Sequence, residues 1–169
     1  MHTIAEVLLH RGPDLLLVQQ QKPEDPEPYW TLPGGLVGPE ELATEAAARE
    51  TFEETGITIR DIDGFVYVSQ TYGVSRAERV VVFCFESSAW HGEVVCEDPD
   101  RVVTEARFFS RPDAIGALEN PLRQGTRGLR MTEPLVAYLN GSVESRTLWF
   151  YREGPEGKRE TIGNPPKAG

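Results

Sequence analysis

Cysteine is scarce in this chain of 169 residues, which has only Cys84 and Cys96. Neither lies at a Cys-x-x-Cys or Cys/His spacing, so we expect free thiols rather than a disulfide or a zinc site. The chain also lacks an apolar run approaching the ~20 residues that a membrane span needs. Its first residues lack the charged start and apolar core of a secretory signal. These absences predict a cytoplasmic protein that does not associate with membranes.

Basic residues are outnumbered, 17 against 27 acidic ones, and the formal net charge is -10. Such a chain matches the phosphates of DNA or RNA poorly, so we expect it to bind neither. A small phosphate compound remains a suitable ligand if a divalent cation bridges the like charges. The sequence therefore favours small, metal-associated phosphate ligands over nucleic acids.

The order of predicted elements indicates an α/β (α+β) domain with a mixed sheet. Runs rich in apolar, β-branched and aromatic residues predict strands at 3–10, 14–21, 29–33, 65–72, 78–90 and 104–110. Helices are predicted at 39–55, 112–119 and 132–139. In the first helix we expect Gly38 as the N-cap, Pro39 at the first position and Gly56 as the stop.

The chain divides by composition into a domain at 1–140 and a C-terminal extension at 141–169. Within the extension, the apolar stretch 147–151 predicts one strand, which would pack on its own domain or against a second chain. The second arrangement would give a homodimer. The stretch 152–169 is charged and rich in glycine and proline, so we expect a mobile tail.

The segment 34–57 concentrates acidic side chains around a single basic residue, Arg49. Its glutamates are Glu40, Glu41, Glu45, Glu50, Glu53 and Glu54. Residues three and four apart share one face of a helix, so Glu50, Glu53 and Glu54 crowd together and repel one another. One cation cannot pair with all of these glutamates, which argues against interpreting the segment as a surface of salt bridges. Magnesium prefers such oxygen ligands, so the cluster predicts a site for hard cations rather than a merely solvated face.

The spacing of these residues resembles the Nudix box, G-x5-E-x7-R-E-U-x-E-E-x-G-U, where U is aliphatic. Gly35, Glu41 and the stretch 49–57 match it at eight fixed positions. Thr51 is the one departure, since an aliphatic residue is usual there, and its methyl group can still pack. The wider resemblance, including "YWTLPGG" and "TEARFF", runs from about residue 2 to 140.

The resemblance implies a Nudix-type α/β/α sandwich and a pyrophosphohydrolase that uses Mg²⁺ or Mn²⁺. Its substrate would be a nucleoside diphosphate linked to another group, X, which the sequence leaves open. The implied metal ligands are Glu50 and Glu54, assisted by Glu53 and by a carbonyl, that of Gly34 rather than Gly35. Around them, Gly35, Glu41 and Arg49 would support the ligands.

A metal-polarised water would attack phosphorus, with Glu53, Glu54 or Glu105 accepting its proton. Glu105 is preferred to Glu97 as the later carboxylate because it begins a predicted strand. Candidate substrate contacts are Arg76 and Arg79, which would meet phosphates, and Tyr72, which would stack on a base. Each of these also reads as an ordinary surface residue.

Two other functions compete with this hypothesis. One is a catalytically silent nucleotide-binding module that regulates a partner, which the complete glutamate set argues against. The other is an isomerase of isoprenyl diphosphates on the same fold, for which the chain shows no matching cysteine pattern.

Overall fold

The computed structural model describes residues 1–23, 27–73, 78–119, 128–153 and 159–163, with side chains omitted at 128–131 and 159–163. The strands are β1 (His2–Arg11), β2 (Asp14–Gln20), β3 (Tyr29–Thr31), β4 (Gly34–Leu36), β5 (Thr58–Ile59), β6 (Gly64–Gly73), β7 (Glu78–Ser87), β8 (Trp90–His91), β9 (Val103–Phe109), β10 (Thr147–Glu153) and β11 (Arg159–Gly163). The helices are α1 (Ala43–Thr55), α2 (Arg111–Leu118) and α3 (Gly128–Leu139). Among the described helices, none is both long enough and apolar enough to span a bilayer.

Most strands join one mixed sheet in the order β11-β10-β6-β7-β1-β2-β3, with β4 paired to β1 and β9 to β2. The pairs β1/β7 and β6/β10 are parallel, whereas the other pairs in this sheet are antiparallel. Strands β5 and β8 form a separate pair. The predicted α/β (α+β) class with a mixed sheet is confirmed.

The two faces of β1 contribute to different cores because strand side chains alternate between faces. Ala5, Val7 and Leu9 pack with Ala46 and Ala47 of α1. The opposite face of the sheet belongs to a second core that includes residues of α2 and α3, among them Ala114, Leu118, Leu135 and Leu139. Helices on both faces make the α/β/α sandwich that the sequence predicts.

Helix α1 begins at Ala43 with Leu42 as its N-cap, four residues later than the predicted start at Pro39. The Glu41 carboxylate accepts a hydrogen bond from the Gly38 N–H (2.9 Å), which closes a turn before the helix. The Glu45 carboxylate then accepts one from the Leu42 N–H (2.9 Å). The predicted end is correct, because Gly56 takes a left-handed conformation with φ at 70°.

The C-terminal extension contributes two strands to the main sheet. Strand β10 pairs in parallel with β6 of the same chain, and β11 pairs with β10. The second strand differs from the predicted mobile tail. The polar composition of 159–163 gives no sign of a strand. Pairing with β10 stabilises one because it supplies hydrogen-bond partners for the backbone N–H and C=O groups. The other residues from 154 to 169 lie outside the described part of the chain.

Trp149→Ala should destabilise the protein by ~3–5 kcal/mol, because its side chain is buried and its removal leaves a cavity. The matched control is Leu148→Ala, the neighbouring residue on the outer face of β10, which is 54% exposed. Urea unfolding of both variants measures the difference. Equal small losses would show that β10 adds nothing to the core.

Candidate active site

The short strand β4 places two glycines directly against α1 and β1. A Cβ at Gly35 would overlap the carboxyl group of Glu50. At Gly34, whose φ is +152°, a Cβ would collide with the backbone of Ala5 and Glu6. Only glycine therefore permits β4 to pair with β1 while the Glu50 carboxylate rests on it.

Glu54 is the most buried carboxylate of α1, at 6% exposure. Its Oε2 accepts a hydrogen bond from the Gly34 N–H (2.9 Å), and its Oε1 accepts one from Gln20 Nε2 (3.1 Å). The Tyr29 hydroxyl donates in turn to the Gln20 side-chain oxygen (3.2 Å). Strands β2, β3 and β4 thus fix the position of this carboxylate.

Arg49 connects the other carboxylates of the cluster. Its Nε and Nη2 donate to the two oxygens of Glu41 (2.8 and 3.0 Å). Its Nη1 donates to Glu50 Oε1 (2.9 Å) and to Glu53 Oε2 (3.0 Å), and Nη2 also reaches the Leu36 carbonyl (3.1 Å). The guanidinium therefore holds three glutamates in place with a single positive charge.

The electrostatic environment differs sharply along the cluster. Hydrogen bonds from Arg49 lower the pKa of Glu41 to about 2. Burial raises the pKa of Glu54 to about 8, and the negative charges of Glu50 and Asp98 add to that rise. Burial also raises the pKa of Glu50, although Arg49 opposes the change. When ionised, the inner carboxylates would carry more negative charge than Arg49 can balance.

An acidic loop joins the cluster from outside the motif. Asp98 and Asp100 lie close enough to raise the pKa values of Glu54 and Glu50, respectively. Asp98 is fixed because its Oδ2 accepts hydrogen bonds from the Val102 and Val103 N–H groups (2.7 and 2.8 Å). The acidic run "CEDPD" is the sequence signal for this loop, although Glu97 was its only residue considered as a candidate.

The donor chemistry of the cluster fits a hard divalent cation. Within the described residues, no three acidic, histidine or cysteine side chains already converge as a finished site. However, Glu50 Oε2 and Glu53 Oε1 accept no hydrogen bond from these residues, and Glu50 lies close enough to the buried Glu54 to raise its pKa. Mg²⁺ and Mn²⁺ favour carboxylate oxygens as ligands. Here such oxygens lie beside further carboxylates and against the two glycines of β4.

Glu105 lies on the face of β9 opposite the core that includes α1. Strand β9 alternates, so Ala106 and Phe108 face the core that includes α1, while Glu105 shares the opposite face with Arg107 and Phe109. Glu105 Oε1 also forms an ion pair with Arg107 Nε (3.3 Å). The register of β9 thus separates Glu105 from the face that packs on α1, and its predicted part in the reaction stays a prediction.

The predicted substrate contacts that the structure describes lie on β6 and β7, and their role stays a prediction. Tyr72 and Arg79 are paired across β6 and β7, on the opposite side of β1 from β4 and its glycines. Arg76 lies outside the described residues. Gln20, Asp98 and Asp100 are therefore the nearby residues that sequence reasoning missed.

The stability of the metal-free protein should fall as the pH rises from 4.5 to about 8. The raised pKa means that folding favours protonated Glu54, so the stabilisation is complete below the unfolded pKa and is lost as the pH rises through the folded pKa. Buried Glu6, with its pKa raised to about 7, acts in the same direction.

Glu54→Gln should therefore reduce the slope of stability against pH without abolishing it. Thermal melting in excess chelator across this range measures both proteins. Identical slopes of stability against pH for the two proteins would mean that the pKa of Glu54 is the same in the folded protein as in the unfolded chain.

Comparison with known proteins supports the resemblance noted in the sequence. The NUDIX domain model matches residues 2–130. A putative 8-oxo-dGTP diphosphatase of Bacillus subtilis is 46% identical over 50 residues, 30% of this chain and 31% of that protein. An NAD-capped RNA hydrolase of Schizosaccharomyces pombe is 27% identical over 100 residues, 59% of this chain and 25% of that protein. The chain therefore spans only about a third or less of these two relatives.

The fold has a solved counterpart of similar length. The MutT protein of Bacillus halodurans superposes with a TM-score of 0.68 at 16% identity, covering 98% of this chain and 100% of the other. Identity this low supports the fold alone. The domain match, however, covers most of the chain and contains the whole carboxylate cluster. The chain therefore belongs to the Nudix hydrolase family.

Proposed function

We propose that the protein is a Mg²⁺- or Mn²⁺-dependent pyrophosphohydrolase of a nucleoside diphosphate linked to another group. One observation carries the proposal: Arg49 joins Glu50 and Glu53 on one helix, and Glu50 lies close to the buried Glu54, so the ionised carboxylates would carry more negative charge than this one cation offsets. A divalent cation would supply the missing charge and bring the substrate phosphates to an otherwise repulsive surface.

Within this proposal, Glu50 and Glu54 hold the cation, with Glu53 and the Gly34 carbonyl assisting. When bound, the ion would polarise water for attack on phosphorus. Arg49 restrains Glu50 and Glu53 through Nη1, and the Gly34 N–H restrains Glu54.

Glu53 and Glu54 are the proposed proton acceptors. Glu53 is the more accessible, with its side chain 38% exposed. Glu54, with a pKa near 8 before a cation binds, holds a proton that cation binding would release. Glu105 is the third candidate, although the register of β9 places it on the face opposite the core of α1.

The substrate is proposed to be a small nucleotide derivative. One relative is named for hydrolysis of NAD-capped RNA and the other for 8-oxo-dGTP, so these compounds are the first to test. The test is a panel of nucleoside triphosphates, dinucleotides, nucleotide sugars and an NAD-capped oligonucleotide, with Mg²⁺ or Mn²⁺ and chromatography of the products.

Cleavage between two phosphorus atoms of at least one compound is the expected result. A silent regulatory module would instead bind a member of the panel, measured by calorimetry, without consuming it. That outcome, with the folded protein and saturating metal, would contradict the proposed activity.

A further inference from the structure

The sheet face that carries α1 is only partly covered. Helix α1 packs mainly on β1 and β4, whereas β6 and β10 lie beyond it. On β10, Trp149 and Tyr151 are buried on one face, but Leu148 and Phe150 on the other are 54% and 43% exposed. Apolar side chains therefore occupy the face of β10 that would ordinarily be polar.

The strand register extends this apolar surface across two more strands. Leu148 of β10 lies beside Val68 of β6, which lies beside Phe83 of β7. In the next row, Phe150 lies beside Gln70, which lies beside Val81. The residues of β6 and β7 in these rows are half-buried. Since paired residues share a face, the rows form one continuous floor.

Helix α1 forms a wall along this floor. Glu50 points to Gly35 of β4, on one side of β1. Phe52, two residues on, lies about 200° further around the helix and so faces the other side, toward β7. Its side chain is 56% exposed. We call the floor of Leu148, Phe150, Val68, Val81 and Phe83, with Phe52 as its wall, the β6–β10 groove.

Two arginines mark one end of the groove. Arg79, Tyr72 and Arg152 occupy adjacent positions on β7, β6 and β10, in the row after Val81 and Phe150. Neither arginine has an ion pair or hydrogen bond with the described residues. Glu160 of β11 stands next to Arg152 in the register, so the row holds two basic residues and one acidic one in a chain of net charge -10. It favours a partner that carries carboxylates at this end.

The dimensions of the groove suit one helix better than a second sheet. Beside α1, three strands spaced ~4.8 Å apart give a strip roughly 10–15 Å across before β11 continues the sheet, and this width accommodates one helix of ~10 Å diameter. Since α1 rises from the same face, a flat sheet of a second copy could not close onto the floor without meeting it.

A second copy also lacks a suitable helix among its described elements. The inner side of α1 is already buried by Ala46, Ala47 and Thr51, and its outer side carries Arg49 and Glu53. Helices α2 and α3 contribute their apolar residues to the core on the opposite face. Because none of the described helices of this chain offers the complementary surface, we assign the groove to a different protein.

We propose that the β6–β10 groove binds one amphipathic α-helix of another protein, with apolar side chains on the floor and carboxylates at the Arg79–Arg152 end. The helix would lie beside α1 and complete a two-helix layer on this face. Half of the exposed large apolar side chains of the described residues, those of Phe52, Tyr72, Leu148 and Phe150, would be covered. This is recognition of a helix by a groove, anchored by side chains at helical spacing.

The test selects binders to the full-length protein from a displayed library of single helices. The probes carry apolar residues fixed at i, i+4, i+7 and i+11, and all other positions are random. We expect enriched peptides to gain Asp or Glu near one end. Their affinity should fall at least ~10-fold for Phe150→Glu, as for loss of an interface anchor, and also fall for Arg152→Glu in a salt-dependent way.

The matched control is Leu42→Glu, which places a charge on another exposed apolar side chain (67%) at the N-cap of α1, outside the groove. It should leave binding unchanged, and thermal melting should show that all three variants fold. The proposal would be overturned if none of the enriched helices lost affinity for the Phe150→Glu variant. A concentration-dependent dimer in sedimentation that Phe150→Glu abolishes would also overturn it, since the occupant would then be a second copy.

Discussion

Replacing Glu54 by glutamine is expected to lower kcat by at least ~10²-fold, by analogy with the removal of one strong electrostatic stabiliser, with a much smaller change in KM. Glutamine has nearly the same shape and keeps an oxygen that can accept from the Gly34 N–H, which now bonds Glu54 at 2.9 Å. What it removes is the negative charge, and with it the proposed ligand for the cation. Steady-state kinetics with saturating Mg²⁺ measures the effect.

Glu45→Gln on the same helix is the matched control. Glu45 is exposed, lies outside the proposed metal site and accepts a hydrogen bond from the Leu42 N–H (2.9 Å), a role that glutamine can keep. Its activity should therefore stay close to that of the unmodified protein. If both variants lost the same activity, the carboxylates would act as a general charged face, and a specific role for Glu54 would be untenable.

Removal of divalent cations is expected to abolish hydrolysis, and Mg²⁺ or Mn²⁺ should restore it. Burial raises the pKa values of Glu50 and Glu54, neighbouring negative charges add to the rise, and a negatively charged substrate would add further repulsion. Arg49 is already engaged with Glu41, Glu50 and Glu53, so it cannot supply the missing charge. Dialysis against a chelator followed by titration of each metal provides the measurement.

The chelated protein should remain folded, because hydrogen bonds from Arg49, Gly34 and Gln20 hold the carboxylates without a cation. Circular dichroism of the chelated sample separates loss of the metal from loss of the fold. Full turnover of the folded protein in excess chelator would refute the metal-dependent mechanism.

Strands with a regular apolar pattern were predictable, whereas strands without one were not. The pattern at 65–72 and 78–90 anticipates β6 and the long strand β7. Strand β4 is missed because Gly34 and Gly35 have no side chain to show a pattern, and its pairing with β1 depends on their small size. Strand β11 is missed because a polar segment forms a strand only when a neighbour such as β10 offers its edge.

The candidate site shows the same division. The proximity of Glu50, Glu53 and Glu54 follows from helical spacing alone, and so does a role for Arg49 beside them. The positions of Gln20 and Asp98 against Glu54 depend on segments 34 and 44 residues away along the chain. The face on which Glu105 lies was not predictable, because a shift of one residue in strand register reverses the face of every side chain and the sequence does not reveal that register.

By itself, the sequence determined the class of fold, the carboxylate face of α1 and the Nudix motif, because helical and strand periodicities act over a few neighbouring residues. Only the tertiary structure decided which distant groups surround that face, where Glu105 points and which strands remain uncovered beside α1. These features depend on long-range strand pairing. The many residues between paired strands must first be folded before their side chains can meet, so no local pattern specifies the outcome.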